Sequence, residues 1–303
     1  MNAGATAGHA RLTICLAVHD GMPYLPAAVA SILGQSLAAF RFLVVDDGSG
    51  DGSPDFLASL GDPRIEVITQ PHAGLSAALN RGIAAADTEL IARMDADDVA
   101  LPERLAEQVA FMDAHPEVVA CGTAIEYFVD GGVRTLPRSL PLSHAQVTRA
   151  LAEGAHAFCH PTLVFRTAAA RNVGGYRETG PGQLSAFALA LARTGQLANL
   201  DRVLLRKRVW PGSVGWSQAG DVAIADYLAR RRSSPVPGAA AGERIGAVPS
   251  DVRRRLAREV RSQLAYRRAL VAYLRGRPAA AAWHALAAAL WDPFRAARRL
   301  FDR

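Results

Sequence analysis

Glu89-Leu90-Ile91-Ala92-Arg93-Met94-Asp95-Ala96-Asp97-Asp98 is the stretch on which the reading of this chain turns. A short apolar strand runs straight into three carboxylates. Acids this close raise one another's pKa unless a cation neutralises them. Hard cations such as Mg²⁺ and Mn²⁺ take oxygen ligands, commonly shared between one or two carboxylates and the phosphates of a substrate. A strand ending in Asp95-x-Asp97 is therefore suited to hold a metal–diphosphate. The plainer alternative is a solvated strand-to-helix loop in which Asp98 or a neighbour acts as a cap. An EF-hand loop is excluded, because Val99 stands where the third ligand would be and no glycine follows.

Working outward, the segments on either side alternate in type. Leu12 to Val18 is a continuous apolar run that fits a buried parallel strand. Tyr24 to Gln35 reads as a helix with Leu25, Val29, Ile32 and Leu33 on one face. Phe40 to Val45 is a second buried strand, ending in Asp46-Asp47-Gly48-Ser49. Ser53-Pro54 looks like a cap followed by proline at the first helical position. Ile65 to Ile68, Gly74 to Ala86 and Glu89 to Met94 continue as strand, helix and strand, and Pro102 to Ala114 as a helix. This order predicts an α/β fold with a doubly wound, mostly parallel sheet. Ligands of such sheets bind beyond the carboxyl ends of the strands, where both acidic clusters fall. Gly48, Gly50 and Gly52 have the spacing G-x-G-x-G after the second strand, which reads as a flexible turn and not as a dinucleotide fingerprint.

The 303 residues are half apolar and allow one large domain with an appendage, or two domains. Residues 1–10 read as a loose tail without the features of a signal peptide. No run approaches the ~18 apolar residues of a membrane span. Cys15, Cys121 and Cys159 are scattered and odd in number, as expected of free buried thiols in a reducing compartment. The net charge of +6 is unevenly spread. From Asp251 onward there are 13 arginines against 4 acids, while the rest of the chain is slightly acidic. Lys207 is the only lysine.

Taken together, Val44-Val45-Asp46-Asp47-Gly48-Ser49, Gly74-Leu75-Ser76-Ala77-Ala78, Ala92-Arg93-Met94-Asp95-Ala96-Asp97-Asp98 and Leu101-Pro102-Glu103-Arg104-Leu105 form an ordered set. They are followed by His160-Pro161-Thr162, Val173-Gly174-Gly175-Tyr176-Arg177 and Gly212-Ser213-Val214. In order and spacing the set resembles the family 2 glycosyltransferases, with their nucleotide-sugar-binding GT-A fold, over about Leu12 to Ser217. The resemblance implies transfer of a sugar from a nucleotide-diphospho-sugar to an acceptor hydroxyl of a glycan or lipid-linked acceptor, assisted by a divalent metal (Mn²⁺ or Mg²⁺). It places Asp46 and Asp47 at the nucleobase and ribose, Asp95 near the ribose and Asp97 on the metal, with Ala17 and Asp20 lining the nucleotide cleft.

Four residues depart from the family pattern. The family's proton-accepting carboxylate usually lies in an acidic pair opening a helix after the Gly-Gly-Tyr-Arg motif; here Gln183 and Leu184 stand there, and neither can take a proton. Glu178, His156 and His160 are the groups nearby that could substitute, each with a duller explanation as a solvated or hydrogen-bonded residue. Trp210 precedes Gly212-Ser213 where a metal-binding histidine is common, so weaker metal binding is expected. Leu79 takes the place of a usual arginine. The pattern implies an impaired or atypical enzyme; the alternative is a catalytically silent nucleotide-sugar binder acting as a partner or scaffold.

The expected domains are residues 11–220 for the transferase fold, 221–250 for a helix and a Pro/Gly/Ala/Ser-rich linker, and 251–303 for a basic amphipathic helical extension. In that extension Trp283, Leu286, Leu290, Phe294 and Phe301 would share a face away from Arg295, Arg298 and Arg299. Such helices suit an anionic membrane surface, making the protein peripheral at the cytoplasmic membrane face. Packing on the transferase domain with solvated arginines is the other reading. No stacking platform or reader motif points to nucleic acid.

Overall fold

The computed structural model describes residues 10–153, 157–176, 183–210 and 250–291. Its first half alternates strictly: β1 (Leu12–Val18), α1 (Leu25–Leu33), β2 (Arg41–Asp46), α2 (Ser53–Ala58), β3 (Ile65–Thr69), α3 (Leu75–Ala85) and β4 (Leu90–Asp95). There follow β5 (Val99–Ala100), α4 (Arg104–Ala114), β6 (Val118–Phe128), β7 (Leu136–Arg138) and α5 (His144–Ala152). A 3₁₀ turn at His160–Thr162 leads into β8 (Val164–Arg166), α6 (Thr167–Asn172), α7 (Gln183–Leu191) and β9 (Gln196–Arg208). The last described elements are α8 (Ser250–Leu274) and α9 (Pro278–Trp291).

The strands form one sheet in the order β3-β2-β1-β4-β8-β6-β9-β5, with β7 paired to β6. The β3-β2-β1-β4 half is parallel. Beyond it β8 joins β4 antiparallel, β6 joins β8 antiparallel and β5 joins β9 antiparallel, so the sheet is mixed. All seven residues of β1 are buried, because helices cover both faces of a parallel sheet. Each fully buried Leu, Ile or Val contributes about 1.5–3 kcal/mol, and β1 supplies several. On one face α3 packs against β1 and β2. A Cβ on Gly82 would strike the Cys15 side chain, so glycine there is what lets α3 approach the strand. Cys15, Cys121 and Cys159 are free and buried, and burial pushes each thiol up to about 12.

The start of α2 corrects one expectation. Gly52, not Ser53, is the cap, and Ser53 is the first helical residue. The Ser53 hydroxyl instead accepts a hydrogen bond from Gly21 N at 3.0 Å and so holds the loop after β1.

The chain divides into two compact units. The first takes in residues 1–126, 137–179 and 183–207, and it holds the parallel sheet. The second takes in 127–136, 180–182 and 208–303. Within it α8 and α9 pack against each other, with the Ser262 hydroxyl donating to Ala288 O at 3.0 Å. Leu270 and Leu274 share a small apolar cluster with Val129. Gly276, at φ +71°, ends α8 in a Schellman turn: its N–H and that of Arg277 reach back to Tyr273 and Ala272. Pro278 then opens α9.

Candidate active site

Strand register brings the acids together. Opposite β1, Ala17 pairs with Asp95 on β4, and Val18 pairs with Asp46 on β2. The two acidic strand ends therefore flank the carboxyl end of β1, where backbone pairing stops. Ala17 is buried at this edge.

On the β2 side, Asp46 and Asp47 have different tasks. Asp46 is buried, and its Oδ1 accepts from Ser49 N at 3.1 Å. Asp47, with a side chain 4% exposed, organises the loop before α3. It accepts from Gln70 Nε2 at 2.7 Å, Ala73 N at 2.9 Å and Gly74 N at 2.8 Å. Burial opposes its ionisation, but these hydrogen bonds outweigh burial and hold its carboxyl below the usual range. His19 and His72 stack with ring centroids 4.0 Å apart, each with Nδ1 near the Asp47 carbonyl oxygen. Gly48 has φ +74°, and a Cβ there would lie 2.8 Å from His72 N; only glycine fits the turn. Asp20, exposed and at φ +51°, accepts from Gly50 N at 2.8 Å, tying the loop after β1 to the loop after β2.

On the β4 side, ligand oxygens of Asp95, Asp97 and Asp98 all lie within 4.8 Å of one another. Asp98 is fully buried, Asp95 and Asp97 partly so. Among the described residues, Lys207 and Arg93 serve this cluster. Lys207 Nζ, from β9, is 3.2 Å from Asp98 Oδ2 and 3.4 Å from Asp95 Oδ2. Arg93, 2% exposed, forms an ion pair with Asp95 through Nη2. Burial opposes charge on Asp95, but Arg93 and then Lys207 hold its carboxyl well below the usual range. Burial likewise works against the Lys207 ammonium, and Asp98 and Asp95 lift it well above its ordinary value. Beneath the cluster Arg104 is fully buried and donates to Arg93 O at 2.7 Å and Gln108 Oε1 at 3.1 Å. Three carboxylates at this separation are a donor set that a hard divalent cation accepts.

Behind the acids stands Tyr176. Its hydroxyl lies 3.0 Å from His160 Nε2, and its ring stacks on Phe187 at 4.1 Å. Burial, with Arg93 nearby, pushes the His160 imidazole well below its usual pKa, so it is neutral at pH 7. Leu184, in the first turn of α7, is half-buried and packs on the apolar cluster that contains Phe187 and Leu191. Leu79 is buried in the same cluster.

Glu178, His156, Gly212 and Ser213 lie outside the described residues, as do the expected linker and the Phe294–Phe301 end of the extension. Trp210 is half-buried in the second unit. The residues that motif reading passed over are Lys207, Arg93, His19 and His72. For Lys207 the signal was compositional: one lysine in a chain that otherwise uses arginine.

Residues 13–174 match the family model for glycosyl transferase family 2. The amylovoran biosynthesis glycosyltransferase AmsE of Erwinia amylovora is 32% identical over 201 residues, which are 64% of this chain and 75% of AmsE. The putative glycosyltransferase EpsE of Bacillus subtilis (strain 168) is 32% identical over 173 residues, 55% of this chain and 60% of EpsE. Among solved structures, S. aureus TarS 1-349 in complex with UDP-GlcNAc aligns with a TM-score of 0.60 at 14% identity, covering 93% of this chain and 88% of that one. Mannosyltransferase PcManGT from Pyrobaculum calidifontis, in complex with GDP-Man and Mn²⁺, aligns with a TM-score of 0.57 at 18% identity, covering 96% and 79%. These two likenesses bear on the fold, which is of the GT-A type. The family match spans just over half of the chain and contains both acidic strand ends, so this protein belongs to glycosyl transferase family 2.

Proposed function

We propose that this glycosyltransferase takes a nucleotide-diphospho-sugar at the carboxyl edge of β1, β2 and β4 and passes the sugar to an acceptor hydroxyl. The observation that carries the reading is the register that sets Asp46 and Asp95 on either side of β1. Asp46, with Ala17 and Asp20, lines the nucleotide side. Asp47 acts mainly by ordering Gln70 to Gly74 beside it. Asp97, with Asp95, is the group that would hold a divalent cation. Bound there, the ion would offset charge on the departing diphosphate. The acceptor is a growing glycan or lipid-linked saccharide, a reading supported by the amylovoran biosynthesis role in the name of AmsE.

Among the described residues, no carboxylate stands at the start of α7 to receive the acceptor proton. The first turn of α7 contains no acid, Leu184 faces apolar neighbours, and His160 is engaged with Tyr176. Transfer is therefore slow, with donor binding kept. The same observation favours a second reading, a silent donor binder that acts through a partner. Titration calorimetry across UDP-, GDP-, dTDP- and CDP-sugars, paired with release of free nucleoside diphosphate, tests both. Binding with slow release supports the transferase, binding without any release supports the silent binder, and no binding across the panel removes both.

The second unit suits an anionic membrane surface at the cytoplasmic face. Trp283, Leu286 and Leu290 of α9 are 69%, 57% and 77% exposed at helical spacing, while Arg258, Arg261, Arg268, Arg275 and Arg277 are exposed around α8. Apolar insertion beside arginines is the chemistry of interfacial helices. No helix of the described residues is long and apolar enough to cross a membrane.

A further inference from the structure

Asp95, Asp97 and Asp98 bring three carboxylates within 4.8 Å of one another, and among the described residues Lys207 and Arg93 answer them. Lys207 and Arg93 together bring the charge that one divalent ion would bring. Lys207 touches two of the three acids, at 3.2 Å and 3.4 Å, from a side chain still 30% exposed. Its ammonium has three N–H bonds, of which Asp95 and Asp98 account for two. Arg93 is 2% exposed, yet among the described residues its Nε and Nη1 have no hydrogen-bond partner. A buried guanidinium left this way is costly. Donor N–H groups thus stand beside the acids in excess of those their hydrogen bonds use.

We propose that Lys207 is the built-in cation of the donor site: it holds Asp95 and Asp98, competes with a divalent ion for them, and turns its remaining N–H toward the donor diphosphate. The diphosphate part rests on the function proposed above; the competition with metal does not. A divalent ion entering the cluster must displace the ammonium or sit beside it. A unit positive charge about 4 Å away at an effective dielectric of about 20 disfavours that by more than one decade in affinity. Nucleotide binding in this protein is then largely insensitive to chelators.

The test uses the full chain, with Lys207→Met and Lys207→Arg. Mn²⁺ binding without nucleotide is followed by the electron paramagnetic resonance signal of the free ion. UDP and GDP binding is measured by calorimetry in EDTA and again with Mn²⁺. Lys207→Met should tighten Mn²⁺ binding by about tenfold or more, with Lys207→Arg close to wild type. Wild type should keep nucleotide affinity in EDTA within a few-fold, and Lys207→Met should lose that chelator-resistant binding. Equal Mn²⁺ affinity in wild type and a folded Lys207→Met overturns the proposal. So does wild-type nucleotide binding that vanishes in EDTA, a result that needs no variant. If neither UDP nor GDP binds under either condition, dTDP and CDP are titrated in the same way; failure of all four removes the proposed function and the diphosphate part together, and the Mn²⁺ arm alone decides whether Lys207 holds the acids.

Discussion

Asn80 and Tyr176, 96 residues apart, are joined by a closed pair of hydrogen bonds: Tyr176 N donates to Asn80 Oδ1 and Asn80 Nδ2 donates to Tyr176 O, each at 2.7 Å. The amide of α3 thereby stands in for a backbone partner and fixes the turn that Gly174 and Gly175 make at φ +79° and +69°. A Cβ on Gly175 would collide with that same amide. Through this clamp the Tyr176 ring is held against Phe187 and its hydroxyl against His160.

Asn80→Ala should therefore cost about 2–4 kcal/mol, because two backbone groups at Tyr176 are left without partners. Asn80→Asp keeps the bond from Tyr176 N and loses the other, so its cost should fall between. Urea unfolding of the three proteins measures this. A loss in Asn80→Ala below about 1 kcal/mol, the value of a single ordinary hydrogen bond, would mean that the turn is held by something else.

How much of this was legible in the sequence follows from what local pattern encodes. The run Leu12 to Val18 is a strand end for end, because burial on both faces leaves an unbroken apolar signature. Asp46 and Asp95 fall on strand ends because an acid cluster terminates an apolar run. The partner of a side chain carries no such signature. Ser53 has the composition of a cap but bonds Gly21 N across 32 residues. Lys207 meets Asp98 across 109 residues and Asn80 meets Tyr176 across 96. β8 is only three residues long, too short to show a period, yet it turns the sheet antiparallel beside β4. Gly82 illustrates the intermediate case, since its reason is a contact with Cys15 and not a turn.

Asp47 should show itself in acid. Its folded pKa lies below the unfolded value of about 3.9. Stability from that difference is fully present above the unfolded value and is lost as pH falls through the folded pKa. The stability gap between wild type and Asp47→Asn should be widest near neutrality and narrow below about pH 4. Asp47→Ala should cost about 2–3 kcal/mol, since Gln70, Ala73 and Gly74 lose a charged acceptor, and should weaken nucleotide binding as the loop loosens. Thermal melts from pH 6 to pH 3 give the answer; a gap independent of pH would show that Asp47 is not preferentially ionised in the folded protein.

The α9 face makes a separate prediction about location. Trp283→Ala with Leu286→Ala and Leu290→Ala removes mostly exposed apolar surface, so folding should be little affected. Co-sedimentation with anionic vesicles should drop sharply in this variant and should also fall with added salt, because exposed charges are screened over about 8 Å at physiological ionic strength. Sedimentation of the variant equal to wild type, or binding to neutral vesicles as strong as to anionic ones, would count against a lipid-facing role.

Leu184 sets the last prediction, because stability and turnover pull against each other there. A positioned general base is worth about 10²–10⁴-fold in rate, or roughly 3–5 kcal/mol at about 1.4 kcal/mol per decade. Leu184 supplies none of this, and its side chain packs on the Phe187 cluster. Gln183→Glu with Leu184→Asp should therefore raise donor turnover while lowering stability by about 1–3 kcal/mol, since an acid replaces a half-buried apolar group. The gain should carry a pH dependence, with activity lost as the new carboxylate is protonated. Product formation from the panel of nucleotide sugars, read against unfolding of the same preparations, separates the two effects. Rapid turnover by the unmodified protein, unchanged on mutating His156, His160 or Glu178, would mean that the proton goes to a group elsewhere. A stable double variant with no gain in rate would mean that the acceptor is seated away from α7.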